Sequence, residues 1–260
     1  MIPSGNSNRA FVVLALALLS AAMLLAAAVV ANRRPAQEAA SLSLAQTAAV
    51  EGLVRDYIRD HPEVVNEALK KLVQQQRTAE EERRKLNIRA LAKELNEDPD
   101  SPVANPDGDV TIVEFFDYEC PYCKTMASKL HDLLKTDKKV RFVFKEYPVL
   151  GPVSEFAARA ALAARGQGKY VVFHFAMMAV RGQMNELMVL ATAKEAGLDI
   201  EQLQKDMNAP EIAAILKRNK RLAEGINIQG TPNFIIGETL VPGAADISYI
   251  KELVAKARGR

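Results

Sequence analysis

The hydrophobic pattern of the first hundred residues predicts two helices behind a long apolar segment. Residues 11–31 form one apolar run, and residues 32–45 are small and polar. Apolar residues then recur every three or four positions, which predicts one helix up to His61 and a second over residues 62–95. The proline that follows His61 suits the first position of that second helix.

A different pattern begins after a turn-rich stretch at residues 98–108. Continuous β-branched and aromatic residues predict buried strands at 110–116 and 140–145, and helical spacing predicts a helix over 121–134 between them. We therefore expect a β-α-β unit near the start of a second domain, which we place at residues 99–260.

Helical patterns dominate the next eighty positions, an insertion at about residues 151–228, punctuated by glycines and prolines. A strand at 233–236, a hairpin partner at 239–241 and a helix capped by Asp246 complete the chain. The order of elements predicts an α/β fold with a mixed sheet and a helical insertion.

The two N-terminal helices carry mixed charges around an apolar seam with nearly heptad spacing. Such helices are too charged to lie in a domain core. We interpret residues 32–98 as a linker and helical stalk, with residues 42–95 joining copies of the chain into a homo-oligomer. The alternative is a solvated helix that acts only as a spacer.

The apolar run at residues 11–31 is longer than an ordinary secretory signal and long enough to span a bilayer. Residues 1–31 are therefore interpreted as a signal peptide or a signal-anchor, with the rest of the chain outside the cytoplasm. A buried core helix is the alternative, and an Ala/Leu/Val run in this position argues against it.

Composition narrows the function further. The 260 residues carry a formal net charge of +2, and no basic stripe indicates nucleic-acid binding. The only two cysteines, Cys120 and Cys123, are three positions apart, which excludes a framework of structural disulfides.

The spacing of Cys120 and Cys123 is chemically informative because the pair falls where a strand meets a helix. The helix N-terminus stabilises a thiolate at Cys120, Pro121 suits the first helical position, and Cys123 lies one turn further in. Half of a zinc site is the alternative, but zinc needs about four ligands, and the three histidines are scattered singly.

The segment from Val113 to Lys124, which contains Cys-Pro-Tyr-Cys, resembles the active-site segment of DsbA-like periplasmic disulfide oxidoreductases. Gly230-Thr231-Pro232 and the two residues that follow resemble that family's second signature, a loop with a cis-proline. The likeness covers roughly residues 100–258. It implies a thioredoxin-like fold and a redox-active disulfide in place of a cofactor or a metal.

The resemblance also implies roles for single residues. Cys120 matches the nucleophile, Cys123 the resolving thiol, and Glu114 the buried acid that assists proton movement. A simple pair between Glu114 and Lys145 is the alternative for that acid. Pro232 matches the cis-proline, and Gly230, Thr231 and Pro232 match the segment that binds an extended substrate. Pro121 and Tyr122 complete the active-site motif.

Two departures from the strong oxidant DsbA bear on the direction of the reaction. Tyr122 replaces a histidine and cannot supply a cation to the thiolate, and Thr231 precedes Pro232 where DsbA has valine. We favour a disulfide isomerase over a net dithiol oxidase, acting on unfolded or misoxidised proteins. An isomerase must be kept reduced, so a membrane redox partner is implied.

The N-terminal region also resembles suppressor-of-copper-sensitivity C-type members, on Asp56-Tyr57-Ile58 and His61-Pro62-Glu63-Val64 followed by a long helix. The likenesses imply a periplasmic protein, and the apolar run predicts that residues 11–31 either anchor it to the inner membrane or are cleaved from it. Two other classes remain as alternatives. A glutaredoxin shares the Pro-Tyr dipeptide, and a tethered chaperone would use an apolar surface with Met177, Met178, Met184 and Met188.

Overall fold

A computed structural model describes residues 42–259 of the chain, and the predicted segment at 11–31 lies outside them. None of the helices in the described part is both long and apolar enough to cross a membrane. The described chain divides into two units after Val73.

The first unit contains helix α1 (Leu44–Asp60) and the beginning of helix α2 (Pro62–Ala90). Ser43 caps α1 by accepting a hydrogen bond from the Gln46 amide, while the Gln46 side chain accepts one from the Ser43 amide. No side chain of α1 is buried. Both helices were predicted, and their apolar side chains in this unit are exposed in a single copy of the chain.

The second unit begins at Gln74, earlier than the predicted boundary at residue 99. The reason is that Ile88 near the end of α2 and Leu95 in helix α3 (Ala92–Asn96) are buried against the sheet. The predicted single helix over 62–95 is wrong in its last turn, because α2 ends before Leu91 and α3 starts after it.

The sheet of the second unit has five strands in the order β1-β3-β2-β4-β5. Strands β2 and β3 are parallel, and the other neighbouring pairs are antiparallel. The strands are β1 (Val103–Ala104), β2 (Val110–Phe116), β3 (Val140–Glu146), β4 (Asn233–Ile236) and β5 (Thr239–Pro242). The predicted strands are present, whereas the two-residue β1 was predicted as linker because its turn-forming neighbours mask it.

Helix α4 (Pro121–Thr136) joins β2 to β3, as the sequence predicts. Between β3 and β4 lie only helices, and α10 (Ile247–Ala257), capped by Asp246, ends the described chain. The intervening helices are α5 (Pro152–Ala163), a 3-10 turn (Ala164–Gln167), α6 (Tyr170–Ala179), α7 (Glu186–Glu195), α8 (Ile200–Asp206) and α9 (Pro210–Gly225).

Alternation along β2 separates two hydrophobic clusters. Ile112 and Phe116 point to the face covered by α4 and the inserted helices, and Val113 and Phe115 point to the face covered by α3 and the end of α9. Glu114 lies on the first face, with Ile112 and Phe116, because side chains two positions apart share a face. The cysteine pair belongs to the same cluster.

Candidate active site

Cys120 lies at the junction between β2 and α4 and is the N-cap of the helix. Its Sγ atom accepts a hydrogen bond from the Cys123 amide at 3.4 Å, and its own amide donates to the Asp117 carbonyl at 3.2 Å. Pro121 occupies the first turn, where a missing amide proton costs nothing. The nucleophile candidate therefore stands at the positive end of a sixteen-residue helix.

The two thiols have opposite environments. A hydrogen bond from the Cys123 thiol, joined by others from the Thr231 side chain and from backbone amides, lowers the pKa of Cys120 to about 6, although burial opposes this. Burial, together with the hydrogen bond to Cys120, raises the pKa of Cys123 far above its usual range. One sulfur is thus a thiolate at neutral pH and the other is a thiol.

The loop before β4 closes over Cys120 from the far end of the sequence. The Thr231–Pro232 peptide bond is cis, and the Thr231 carbonyl oxygen lies 3.3 Å from Cys120 Sγ. The loop is braced by the Asn233 side-chain amide, which donates to the Gly230 carbonyl at 2.7 Å, and by the Gly243 amide, which donates to the Pro232 carbonyl at 2.8 Å. The structure thus brings the two sequence motifs together.

Tyr122 is open to solvent. The residue is 66% exposed, and Pro121 beside it is exposed as well. The dipeptide between the cysteines is therefore open to a partner, while Cys120 itself is 4% exposed.

Glu114 is buried on the face of the sheet that carries the cysteines. Burial, with repulsion from the Cys120 thiolate, raises the pKa of its carboxyl to about 8. The alternative pairing with Lys145 is wrong, because Lys145 neighbours Phe115 and lies on the opposite face. The Lys145 ammonium instead binds Asp98 at 3.2 Å, Ser101 Oγ at 2.7 Å and the Glu94 carbonyl at 2.9 Å.

Asp117 organises the same junction in a way that motif reading alone missed. Its buried carboxylate accepts hydrogen bonds from the backbone amides of Glu119, Val149 and Leu150 and from the Ser154 hydroxyl, at 2.7–3.0 Å. An aspartate directly after a buried strand, with an amide two positions on, is a signal for such a turn. Asp117 therefore ties the turn before Cys120 to the loop after β3.

A buried polar cluster lies next to that turn. The Glu146 carboxyl accepts hydrogen bonds from Tyr118 at 3.0 Å and from Tyr170 at 2.6 Å, and the Tyr118 hydroxyl also contacts His174 Nδ1 at 3.0 Å. Burial raises the pKa of Glu146 and lowers that of His174 to about 3. His174 is therefore an uncharged packing residue among aromatic rings.

Two other expectations concerned metals and methionines. Within residues 42–259 no group of three or more potential metal-ligating side chains occurs. Met177, Met178 and Met184 are buried in the main core, so they do not form the exposed apolar surface that a chaperone would need. Only Met188 is partly exposed.

Family models extend the likeness beyond the active site. Residues 111–255 match the DSBA-like thioredoxin domain, and residues 46–79 match the N-terminal domain of the copper resistance protein ScsC. The chain belongs to the DsbA-like thioredoxin family. Proteins of this family exchange disulfides through a redox-active cysteine pair rather than a cofactor, as the sequence resemblance implied.

The curated relatives of this chain differ in size, and the chain spans less than a quarter of the length of some of them. A probable disulfide bond formation protein D of Bacillus anthracis is 26% identical over 163 residues, which are 58% of this chain and 74% of that protein. The Na(+)/H(+) antiporter NhaA 1 of Salinispora arenicola is 28% identical over 150 residues, 57% of this chain. The match spans only 23% of the antiporter's length.

Solved structures of DsbA-like proteins share the fold. A thioredoxin-like oxidoreductase from Silicibacter pomeroyi is 49% identical, with a TM-score of 0.63, over 65% of this chain and 98% of that one. Salmonella enterica Typhimurium BcfH is 28% identical, with a TM-score of 0.71, over 83% of this chain and 97% of that one. Family members of this kind act on substrate proteins in the periplasm and exchange electrons with membrane partners.

Proposed function

We propose that this chain is an exported protein disulfide isomerase whose redox couple is Cys120 and Cys123. The observation that carries the proposal is the asymmetry of the pair. Cys120 is a thiolate at the start of a helix, in contact with the cis-proline loop, and Cys123 is a buried thiol one turn away.

In the proposed reaction, the Cys120 thiolate attacks one sulfur of a substrate disulfide. A Cys120–substrate disulfide forms, and the other substrate sulfur leaves as a thiolate. In isomerisation, a different substrate thiolate attacks the mixed disulfide, which restores the Cys120 thiolate with no net oxidation. If the substrate does not rearrange, Cys123 attacks Cys120 and releases the substrate reduced.

Glu114 is the proposed proton acceptor for the step in which Cys123 attacks the mixed disulfide at Cys120. While Cys120 is a thiolate, burial together with repulsion from that thiolate keeps the Glu114 carboxyl protonated at neutral pH. Formation of the mixed disulfide removes the negative charge from Cys120, so the pKa of Glu114 falls and a larger share of the carboxyl is ionised. It can then take the proton that Cys123 must lose before it attacks.

Gly230, Thr231 and Pro232 are the proposed substrate-binding segment. The Thr231 carbonyl lies 3.3 Å from Cys120 Sγ, so an extended peptide paired with this backbone would run beside the nucleophile. Tyr122, which is exposed two positions after Cys120, would contact the same peptide.

The pKa of Cys120 supports isomerase over oxidase. A value of about 6 lies well above the ~3.5 known for the strong oxidant DsbA, so the thiolate is less stabilised here. A less stabilised thiolate makes the disulfide less oxidising. Because an isomerase works in the reduced state, the proposal includes a membrane redox partner that reduces Cys120 and Cys123.

Assembly of several copies through the stalk, which we place at residues 42–95, is part of the proposal. In the first unit, the apolar side chains of α1 and α2 recur at helical spacing and are at least 40% exposed, which is unusual for a solvated helix. They are Val50, Leu53, Val54, Tyr57, Ile58, Val64, Val65, Leu69, Leu72 and Val73. Export through residues 1–31, with anchoring to the inner membrane by 11–31, would place this assembly in the periplasm.

The redox proposal is tested with a Cys123→Ala variant in cells. Without the resolving thiol, mixed disulfides between Cys120 and substrate proteins should accumulate and disappear on reduction. Cys120→Ser is the matched control and should trap nothing. In the wild type, Cys120 should be mostly reduced, and a mostly oxidised pair would instead identify a net oxidase.

The assembly proposal is tested with Leu69→Glu/Leu72→Glu, which places charges on the apolar seam of α2. The mass of the soluble region in solution should fall to that of a monomer while dithiol chemistry is retained. Lys70→Glu/Lys71→Glu on the same turns is the control and should keep the oligomer. If the soluble region of the wild type is already a monomer in solution, the assembly proposal fails and the two helices act only as a spacer.

A further inference from the structure

A cavity of about 530 Å³ opens between the loop after β3 and helices α5 and α9. Its apolar lining includes Tyr147, Val149 and Leu216, and its polar lining includes Arg159, Lys217 and Lys220. A second cavity of about 660 Å³ continues along α9 and shares both lysines. We call the first cavity the α9 pocket.

The α9 pocket is linked to the active site by two separate connections. The Tyr147 hydroxyl donates to the Ile228 carbonyl at 3.5 Å, three residues before Thr231. On the other side, the Val149 amide donates to Asp117 at 2.8 Å, and the Asp117 carbonyl accepts from the Cys120 amide. The pocket wall is thus built on the two segments that hold Cys120.

The charge of the α9 pocket is positive and unbalanced. Glu155, which also lines it, is already paired with Arg159 at 2.8 Å. Lys217 and Lys220 are exposed and have no ion pair within residues 42–259. Two lysines therefore remain available to an anionic partner.

The other cations of α9 show that this arrangement is local. Arg218 binds Asp98 and Asp100, and Arg221 binds Glu94, so both serve the packing of α3 and the following loop. The cations of α9 that have an acidic partner are thus bound by acids of α3 and of the loop that follows it. The two without one line the pocket.

We propose that the α9 pocket docks an acidic segment of a partner protein while that partner exchanges disulfides with Cys120. An apolar lining favours a peptide with hydrophobic side chains over a free phosphate, and the two lysines favour glutamate or aspartate beside them. The inference rests on the proposed function, since it supplies the recognition that a dithiol alone lacks.

The test compares three peptides of equal length in which one cysteine forms a mixed disulfide with 2-mercaptoethanol. The residues flanking the cysteine are glutamates, glutamines or lysines. The reduced wild-type protein should attack the glutamate peptide fastest. Lys217→Glu/Lys220→Glu should slow that reaction about 3- to 10-fold, leave the glutamine peptide unchanged and accelerate the lysine peptide. The wild-type preference should vanish in 1 M salt.

The matched control is Lys251→Glu/Lys256→Glu, which makes the same change in net charge on α10, away from the pocket lining. It should leave the order of the three peptides unchanged. Equal slowing by both double variants, or equal slowing of all peptides by the first, would overturn the inference. The inference would also be overturned if Lys217→Glu/Lys220→Glu lost binding to phosphatidylglycerol vesicles while the wild type showed no preference among the peptides. That outcome would assign the surface to a membrane.

Failure of the inference is distinguishable from failure of the proposed function. Reaction with bis(2-hydroxyethyl) disulfide, which carries no charge, measures the dithiol alone and should be the same in all variants. If the wild type reacted with no disulfide at all, the proposed function would fail. If it reacted equally with the three peptides, only the docking surface would fail.

Discussion

The two faces of the central sheet each bury an ionisable side chain, and the surroundings of the two differ. Lys145 is 0% exposed and has an acid, a hydroxyl and a carbonyl as partners. Glu114, one strand away on the other face, has no cation within ion-pair distance among the described residues. Its electrostatic neighbour is the Cys120 thiolate.

The difference separates a structural charge from a chemical one. Burial alone would raise the pKa of Asp98, but the Lys145 ammonium and several hydrogen bonds lower it, so that pair stays ionised and joins the loop after α3 to the sheet. Burial and a like charge raise the pKa of Glu114 to about 8, so its proton is held weakly enough to move near neutral pH. A satisfied charge stabilises the fold, and an unsatisfied one is available for catalysis.

The largest effect on stability should come from removing the acid that is paired with Lys145. Asp98→Ala leaves Lys145 buried without its acid and should lower the free energy of unfolding by about 3–5 kcal/mol. Urea denaturation at pH 7 measures it. Asp100→Ala is the control, because Asp100 is half exposed and bonded to Arg218 at the surface, and it should cost less than about 1 kcal/mol. Equal costs for the two variants would remove the contrast between the faces.

Replacing Glu114 on the other face should have a smaller effect on stability, and that effect should be stabilising. Glu114→Gln should raise the free energy of unfolding by about 3 kcal/mol at pH 7, because folding currently forces that carboxyl to take up a proton. The destabilisation develops as the pH rises from 4.5, the unfolded value, to about 8, the folded value. At pH 4 both states are protonated, so the gain should disappear in the same urea experiment.

The kinetic counterpart of Glu114→Gln sharpens the contrast. Release of substrate by Cys123 should slow, so mixed disulfides should persist longer than in the wild type. A variant that gains stability at pH 7 but resolves mixed disulfides at the wild-type rate would make Glu114 a buried acid without a role in proton transfer.

The smallest effect should come from adding the missing cation beside the thiolate. Tyr122→His should move the midpoint of the alkylation profile of Cys120, near pH 6 in the wild type, down by about half to one pH unit. The change is modest because position 122 is exposed to water. Tyr122→Phe is the control and should not move the midpoint. Iodoacetamide alkylation between pH 4 and 9 measures all three proteins.

The sequence predicted the helices and strands of this molecule better than the contacts between them. The spacing of apolar residues and the positions of turn-forming residues located β2, α4, β3 and β4 within a few residues, because each of these elements leaves a local sequence pattern. Strand β1 is two residues long and leaves none. The break at Leu91 has no glycine or proline to mark it; it follows from Ile88 and Leu95 packing on the sheet.

Contacts between distant residues were the harder part of the site. A lysine near Glu114 in strand order suggested a pair, and only the register, with Lys145 beside Phe115, excludes it. The Tyr118, Glu146 and His174 contacts join residues 28 and 56 positions apart, and no local pattern pairs them. Cys120 and Cys123 were found easily because their spacing is itself the signal.

The contact between Cys120 and Thr231 has a consequence for the timing of biosynthesis. The two residues are 111 positions apart, so the loop before β4 must be synthesised and docked before this contact exists. Until then Cys120 keeps the hydrogen bonds from Cys123 within its own helix, but it lacks the one from the Thr231 side chain, which also lowers the pKa of its thiol. A partly folded or damaged copy therefore holds a less stabilised thiolate, and the chain acquires its full nucleophile only as it completes its own fold.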